Sequence, residues 1–349
     1  MTTRKWKMGI VGAGAIVRDR HLPNLRLLPD VEVVAIANST FESSERFCRE
    51  HLPGAKPLAS WQELVAMPEL DIIWIGTTPH LHCEVTLAAL EAKRHLFCQA
   101  RMAMDLAEAE QMLAASLRHP ELVTMLCPPP HGMRGDATMR RLLAEELIGR
   151  PHRMRLRSLS DIYLDPNRPA HWRQRRELSG RNVMTLGIYV EVLQRWLGPI
   201  QIVYAEGQIL TTHREGYRVE IPDALSVVCT FESGIKGTLE FSGISSSHEG
   251  DRLEIDGAGG TLTYDFASDE IGVVRKGSPR REILSILREE AGEWHVERDF
   301  IEAVRQPDRP RPHPTFEEGV AYMRVVQAVA DSMEKKAPVA IDPQRGARP

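Results

Sequence analysis

Short apolar runs alternate with amphipathic stretches through the first third of the chain. Met8–Val11, Val31–Ala37, Asp71–Ile75, His95–Cys98 and Leu122–Leu126 read as buried strands. Leu81–Lys93 and Leu106–Leu117 repeat their apolar positions with helical spacing. Strand–helix alternation predicts a parallel sheet covered by helices on both faces. Pro128-Pro129-Pro130 ends the pattern. The expected division is residues 1–127 and 128–349.

The second part has a different rhythm. A helix is predicted over Asp136–Leu147, with Gly149 as its stop, and another over Val183–Leu197. Strands are predicted at Arg153–Leu159, Ile202–Ile209, Leu225–Phe231, Gly237–Phe241, Leu253–Ile255 and Thr261–Tyr264. Most lie next to each other without an intervening helix, so this sheet is expected to be mostly antiparallel. Phe300–Val304 and Gly319–Lys335 close the pattern as helices.

The strand at Met8–Val11 runs straight into Gly12-Ala13-Gly14-Ala15-Ile16-Val17. A dinucleotide site needs Gly where the turn is tight and Gly where the backbone meets pyrophosphate. The next helix must then aim its first amides at the phosphates. Gly12 and Gly14 meet the first two needs, and Ala13, Ala15 and Ile16 complete the turn. The third small position falls on Val17. The second strand ends in Asn38-Ser39-Thr40, with Arg46 one or two turns on. A carboxylate here would bind the ribose of NAD, and its absence leaves room for a 2′-phosphate. NADP(H) is therefore favoured over NAD(H). The plainer reading is that Ser39 or Thr40 caps the helix starting near Phe41.

Composition narrows the class. The chain has 349 residues, a formal net charge of -4 and no dense basic run, which argues against nucleic acid. The longest apolar runs are about six residues, too short for a membrane span. Five widely spaced Cys without a CxxC, and no signal-peptide core, fit a cytoplasmic protein. His80-Leu81-His82 lacks a carboxylate or Cys at ligand spacing, so no metal site is read. Lys is scarce, with none between Lys93 and Lys236.

The order of several landmarks resembles the glucose–fructose oxidoreductase / inositol dehydrogenase / MocA-like (Gfo/Idh/MocA) family. His21-Leu22-Pro23 matches the family's H-L-P after the Gly turn. Gly76-Thr77-Thr78-Pro79-His80-Leu81-His82 matches its T-P-x-x-x-H loop. Ala88–His95 resembles A-L-x-A-G-K-H, with Lys93-Arg94 in place of Gly-Lys. Leu147–Pro151 resembles G-x-I-G-x-P, and Phe300–Val304 the late F-x-x-A-I. The resemblance implies an α/β chain: an N-terminal Rossmann domain, then a C-terminal α/β domain with a large, mostly antiparallel open sheet. It also implies a small-molecule substrate between nicotinamide and sheet, and a homodimer or homotetramer formed through that sheet. Thr77, Thr78, Pro79, His82 and Gln99 fall at positions expected near the cofactor.

The family's acid–base signature is missing. Where it has E-K-P, this chain has Gln99-Ala100-Arg101. Where it has Asp and His around Gly187, this chain has Thr185 and Tyr189. Ala100 can move no proton, and Tyr189 could do so only with a strongly lowered pKa, from about 10. No Lys lies nearby to take over. The usual base-assisted oxidation of a secondary alcohol is therefore not expected; an imine, hemiacetal or activated double bond would need less proton help. His131, His171 and Tyr189 are the replacement acids or bases to be named. Loss of the Pro leads to the expectation of an ordinary trans bond before Arg101, which could then enter the pocket or lie solvated. Arg101, His131, Arg134, Trp172, Arg173, Arg181, Asn182 and Tyr189 form a cationic, hydrogen-bonding set for a small polar or anionic substrate.

Three functions fit these residues. The first is an NAD(P)-dependent oxidoreductase with a rebuilt active site. The second is a lyase, hydratase or hydrolase on the same fold. The third is a catalytically inactive cofactor-binding partner.

Overall fold

In the computed structural model the described residues are 4–129, 133–246, 250–306, 308 and 310–342. The chain forms two compact units, Met1–Pro128 with His295–Val320 and Pro129–Trp294 with Ala321–Pro349.

The first unit is built on six parallel strands: β1 (Trp6–Val11), β2 (Val31–Ala37), β3 (Lys56–Leu58), β4 (Ile72–Ile75), β5 (His95–Cys98) and β6 (Thr124–Leu126). Their order is β3-β2-β1-β4-β5-β6, so the winding reverses between β1 and β4. That switch point is where an open α/β sheet leaves a crevice for a ligand. β4 is buried along its whole length, as its unbroken Ile-Ile-Trp-Ile run requires. Helices α1 (Leu22–Leu25), α2 (Phe41–His51), α3 (Trp61–Val65), α4 (His82–Glu91) and α5 (Leu106–Arg118) connect the strands. Thr40, Ser60 and Asp105 cap α2, α3 and α5 by accepting the amides of Ser43, Glu63 and Glu108. Lys93 follows α4 with φ +59°, the left-handed backbone that suits the Gly of the related motif.

The second unit contains α6 (Asp136–Ala144), β7 (Pro151–Leu159), α7 (Arg176–Ser179), α8 (Leu186–Leu197) and β8 (Ile200–Gln208). A short ribbon of β9 (His213–Arg214) and β10 (Tyr217–Arg218) follows. Then come β11 (Ala224–Phe231), β12 (Lys236–Ser242), β13 (Gly250–Gly257), β14 (Gly260–Asp265), β15 (Glu270–Arg275) and β16 (Arg281–Leu284), with β17 (Val339–Ala340) last. Nine of these strands form one open sheet, β16-β15-β14-β13-β7-β12-β11-β8-β17, antiparallel except for β7 with β12. The expected fold class is therefore observed. Burial alternates along β11 and β12, so one face is covered and the other faces solvent. α8 covers the inner face: Tyr189 lies 6.1 Å from the Phe241 ring and Trp196 5.3 Å from the Tyr264 ring.

Two departures from the sequence pattern have local causes. The helix predicted to Leu147 stops at Ala144, because Glu146 turns to φ +52° ahead of Gly149. The single boundary near residue 128 does not anticipate that His295–Val320 rejoins the first unit. This segment carries α9 (Val296–Arg305) and the start of α10 (Phe316–Lys335). Phe300 of α9 meets the stacked Trp74–Phe97 pair edge-on, with ring centroids 5.9 and 6.0 Å away. Among the described residues no helix is long and apolar enough to cross a membrane.

Candidate active site

At the switch point of the first sheet, Gly12 takes φ +84° and its amide donates to Ala37 O at 2.8 Å. A Cβ on Gly12 would meet the Thr77 amide nitrogen at 2.7 Å, and one on Gly76 would meet Gly12 O at 2.5 Å. The loops after β1 and β4 are thus pressed together, backbone on backbone, and only Gly fits at either place. Gly14 is the opposite case: a Cβ there meets nothing within 4 Å. Gly14, Ala15 and Ile16 are exposed as the chain enters the next helical turn. Beside them Thr77 Oγ1 is buried without a hydrogen-bond partner among the described residues. An open approach to the backbone, a helix start and an unsatisfied hydroxyl fit the phosphate and ribose end of a dinucleotide.

Two members of the expected cofactor set do other work. The Ala13 amide donates to Asn38 Oδ1 at 2.6 Å, so it closes the loop instead of meeting phosphate. Thr40 is the cap of α2, as the plainer reading had it. Ser39 is exposed, and the end of β2 presents no carboxylate.

The loops after β4 and β5 are tied by one imidazole. His82 is fully buried, with Nδ1 2.9 Å from Arg101 O and 3.1 Å from Met102 O, and Nε2 3.0 Å from Thr77 O. Burial pushes its pKa down to about 4, against the pull of these carbonyls. Thr78 Oγ1 lies 2.7 Å from His80 Nδ1, and Pro79 opens the turn leading into α4. After β5, Gln99 donates its backbone amide to Ile75 O at 3.1 Å. Its side chain reaches His21 Nε2 at 2.5 Å, and His21 Nδ1 lies 2.5 Å from Glu297 Oε1. All three side chains are buried. Sequence reasoning did not find Glu297; nothing in the local pattern of α9 marks it. The expected trans bond is corrected: Ala100–Arg101 is cis, and Arg101 is buried, not solvated.

The second unit divides its expected residues among three places. Tyr189, on the first turn of α8, is buried and donates its hydroxyl to Asp251. Burial and the Asp251 charge both hold the phenol well above its usual range, so Tyr189 is not an acid or base near neutral pH. That corrects its expected role. Ser158 Oγ on β7 lies 3.5 Å from Thr185 Oγ1, so the altered positions 185 and 189 share one polar cluster with Asp251.

His171, Trp172 and Arg173 sit together on a short turn. His171 Nδ1 accepts the Arg173 amide at 3.2 Å, and the Arg173 guanidinium lies 4.4 Å over the Trp172 ring. Tyr163 is 6.0 Å from His171, ring to ring. The buried Arg214 shapes the preceding loop, donating to Tyr163 O at 2.5 Å and Asp165 O at 2.7 Å. Arg214 was not legible in the sequence, since it comes from the distant ribbon at β9.

Arg181, Asn182 and Arg134 make contacts of their own. Arg181 pairs with Glu334. Asn182 is buried and donates to Ser179 O at 2.7 Å, a local turn bond. Arg134 is exposed and its amide donates to Asp269 at 3.0 Å. His131 lies outside the described residues.

Known proteins resemble the chain at both levels. Residues 6–126 match the model described as the oxidoreductase family with an NAD-binding Rossmann fold, and 137–263 match the GFO/IDH/MocA C-terminal domain. Myo-inositol 2-dehydrogenase from Thermotoga maritima is 24% identical over 345 residues, 96% of this chain and 98% of that one. 1,5-Anhydro-D-fructose reductase from Ensifer adhaerens is 32% identical over 181 residues, 51% of this chain and 52% of its own length. Levoglucosan dehydrogenase, solved in complex with NADH, superposes with a TM-score of 0.86 at 20% identity, covering 97% of this chain and 100% of that one.

Proposed function

The chain belongs to the Gfo/Idh/MocA oxidoreductase family, and from that premise we propose that it is an NAD(P)-dependent oxidoreductase with a non-standard active site, acting on a small polar or anionic substrate. The observation that carries this reading is the Gly12–Gly76–Thr77 contact with Gly14 open beside it. Gly14, Ala15 and Ile16 would hold the pyrophosphate, and Thr77 and Thr78 would line the next stretch of the dinucleotide. When bound, the nicotinamide supplies the two-electron donor or acceptor. His82 keeps the two crest loops at fixed separation, so positioning does not depend on any one reacting side chain.

On the substrate side, Tyr163, His171 and the stacked Trp172–Arg173 pair offer an aromatic and cationic wall. Such a wall suits polyhydroxylated or anionic molecules. Relatives named for myo-inositol, levoglucosan and 1,5-anhydro-D-fructose support a sugar-like substrate class. NADP(H) is preferred over NAD(H), because Asn38, Ser39 and Thr40 present no charge to repel a 2′-phosphate. The protein assembles as a homodimer or homotetramer through the solvent face of its large sheet.

The test is direct. Purified protein is titrated with NADPH and NADH, then given myo-inositol, levoglucosan and 1,5-anhydro-D-fructose with the matching cofactor. Stoichiometric change of the nicotinamide absorbance supports the reading. Product formed with no net change in cofactor redox state would assign a non-redox reaction instead.

A further inference from the structure

We propose that Arg173 is an anion anchor and that the substrate carries a carboxylate, as a sugar acid or another hydroxy acid does. The inference rests on the oxidoreductase reading above and narrows its substrate class. Every residue it uses belongs to the second unit.

The other arginines around this turn are committed to oxygen. Arg168 pairs with Asp165 and Arg175 with Glu177, each at 3.8 Å. Arg176 pairs with Glu220 at 3.3 Å and Arg181 with Glu334. Arg214 gives its guanidinium to the carbonyls of Tyr163, Asp165 and Arg168. Arg173 differs: among the described residues no carboxylate or carbonyl takes its guanidinium. Its Nε is buried with no acceptor, and the head rests 4.4 Å over the Trp172 ring. An aromatic face attracts a cation but offers no oxygen lone pair to its N–H donors. Burial pulls the Arg173 pKa down, and the Tyr163 phenol opposes this only in part. A guanidinium stays charged all the same, so the protein carries a desolvated cation that it does not neutralise.

The turn that bears this cation is fixed. Gln174 is 1% exposed; its Oε1 accepts the His171 amide at 3.0 Å, and its side-chain nitrogen donates to Asp223 Oδ1 at 2.6 Å. Asp223 Oδ2 accepts the Leu210 amide at 2.9 Å. Ser179 Oγ donates to Trp172 O at 3.0 Å. The buried carboxylate that anchors the turn thus serves neutral donors, and Arg173 is left without it. A rigid backbone beneath an unmatched cation prepays the ordering cost of binding an anion.

The charge count selects the ligand. One guanidinium matches one negative charge and grips a planar carboxylate through two parallel N–H bonds. A phosphate monoester brings nearly two charges at neutral pH, and the neighbouring arginines are already paired. A neutral polyol would leave the cation uncompensated. Arg173 is half-buried, so a small molecule can still reach it.

The experiment measures binding to the full chain by calorimetry, with and without saturating NADPH or NADH. The probes are two matched pairs, D-glucuronate with D-glucose and D-gluconate with D-sorbitol, and inorganic phosphate. Wild type should prefer the acid in at least one pair by about tenfold or more. Arg173→Gln should erase that ratio. Arg173→Lys, which keeps the charge but not the fork, should retain part of it. Thermal melting is the second readout: a cation without a protein partner adds no stability that Gln lacks, so Arg173→Gln should melt at or above the wild-type midpoint. A ratio near one in both pairs overturns the proposal, as does an unchanged ratio in Arg173→Gln. Phosphate binding as tightly as the preferred acid overturns the carboxylate assignment, and a midpoint several degrees lower in Arg173→Gln makes the residue a structural cation instead. Acid binding that depends on Arg173, with no binding of either nicotinamide cofactor, sustains the anchor and overturns the oxidoreductase reading.

Discussion

The side-chain nitrogen of Gln99 stands 2.5 Å from Nε2 of His21, deep inside the first unit. Gln99 Oε1 accepts the Ala100 amide at 3.3 Å, so the amide nitrogen is the end that faces the ring. His21 Nε2 must then accept, which places the ring proton on Nδ1 toward Glu297. A Glu at position 99, as in the related E-K-P motif, could not donate in this way unless protonated. Wild type should show the Nδ1–H tautomer by imidazole ¹⁵N NMR. Gln99→Leu should lose about 1–3 kcal/mol of unfolding free energy, the cost of an unsatisfied buried acceptor. An Nε2–H tautomer in wild type would refute this wiring.

Gly12 and Gly14 separate folding from binding. Gly12→Ala forces a Cβ against the Thr77 backbone at a positive φ, so stability and NADPH affinity should fall together. Gly14→Ala meets no protein atom within 4 Å. Its thermal midpoint should stay within about a degree or two of wild type while NADPH affinity drops by about tenfold or more. Unchanged affinity in Gly14→Ala would move the pyrophosphate elsewhere.

His82 makes the first unit sensitive to acid. Its folded pKa of about 4 lies below the unfolded value of about 6.5, so the unfolded chain binds the extra proton between them. Its contribution is complete above pH 6.5 and is lost as pH falls toward 4, by about 3 kcal/mol. Denaturant unfolding between pH 4 and 7.5 should show this slope in wild type and a flatter one in His82→Gln. Parallel slopes would mean that other groups carry the acid response.

Asn38 sets cofactor choice in this reading. Asn38→Asp keeps an oxygen for the Ala13 amide at the end of β2 and adds a negative charge there. NADPH should bind about tenfold more weakly, while NADH should bind equally or better. Equal loss of both cofactors in calorimetric titration would show that Asn38 only holds the loop.

The solvent face of the large sheet is the expected subunit contact. Val228 on β11 is 55% exposed and Ile202 on β8 39%, with Arg155 paired to Glu254 on the same sheet. Val228→Glu should lower the mass measured by light scattering to that of a monomer or smaller assembly, with the melting curve retained. An unchanged mass would place the contact on another surface.

The sequence by itself determined the architecture. The apolar runs Met8–Val11, Val33–Ala37, Ile72–Ile75 and Leu96–Cys98 call for a sheet covered on both faces, and period-two burial in β11 and β12 for a sheet covered on one. It also determined the Gly12 turn, whose positive φ a side chain would strain, and the absence of Lys, Asp and His at positions 100, 185 and 189. Local chemistry made Thr40 legible as a cap. What it left open were pairings between distant elements. Glu297 reaches His21 across 276 residues, and Asp251 reaches Tyr189 across 62. Tertiary structure decided these because each depends on register and helix placement: a slip of one residue along β13 would turn Asp251 to the opposite face of the sheet. The sequence therefore showed which proton carriers are missing, while the strand pairing of β7 with β13 beneath α8 decided which carboxylate stands beside Tyr189.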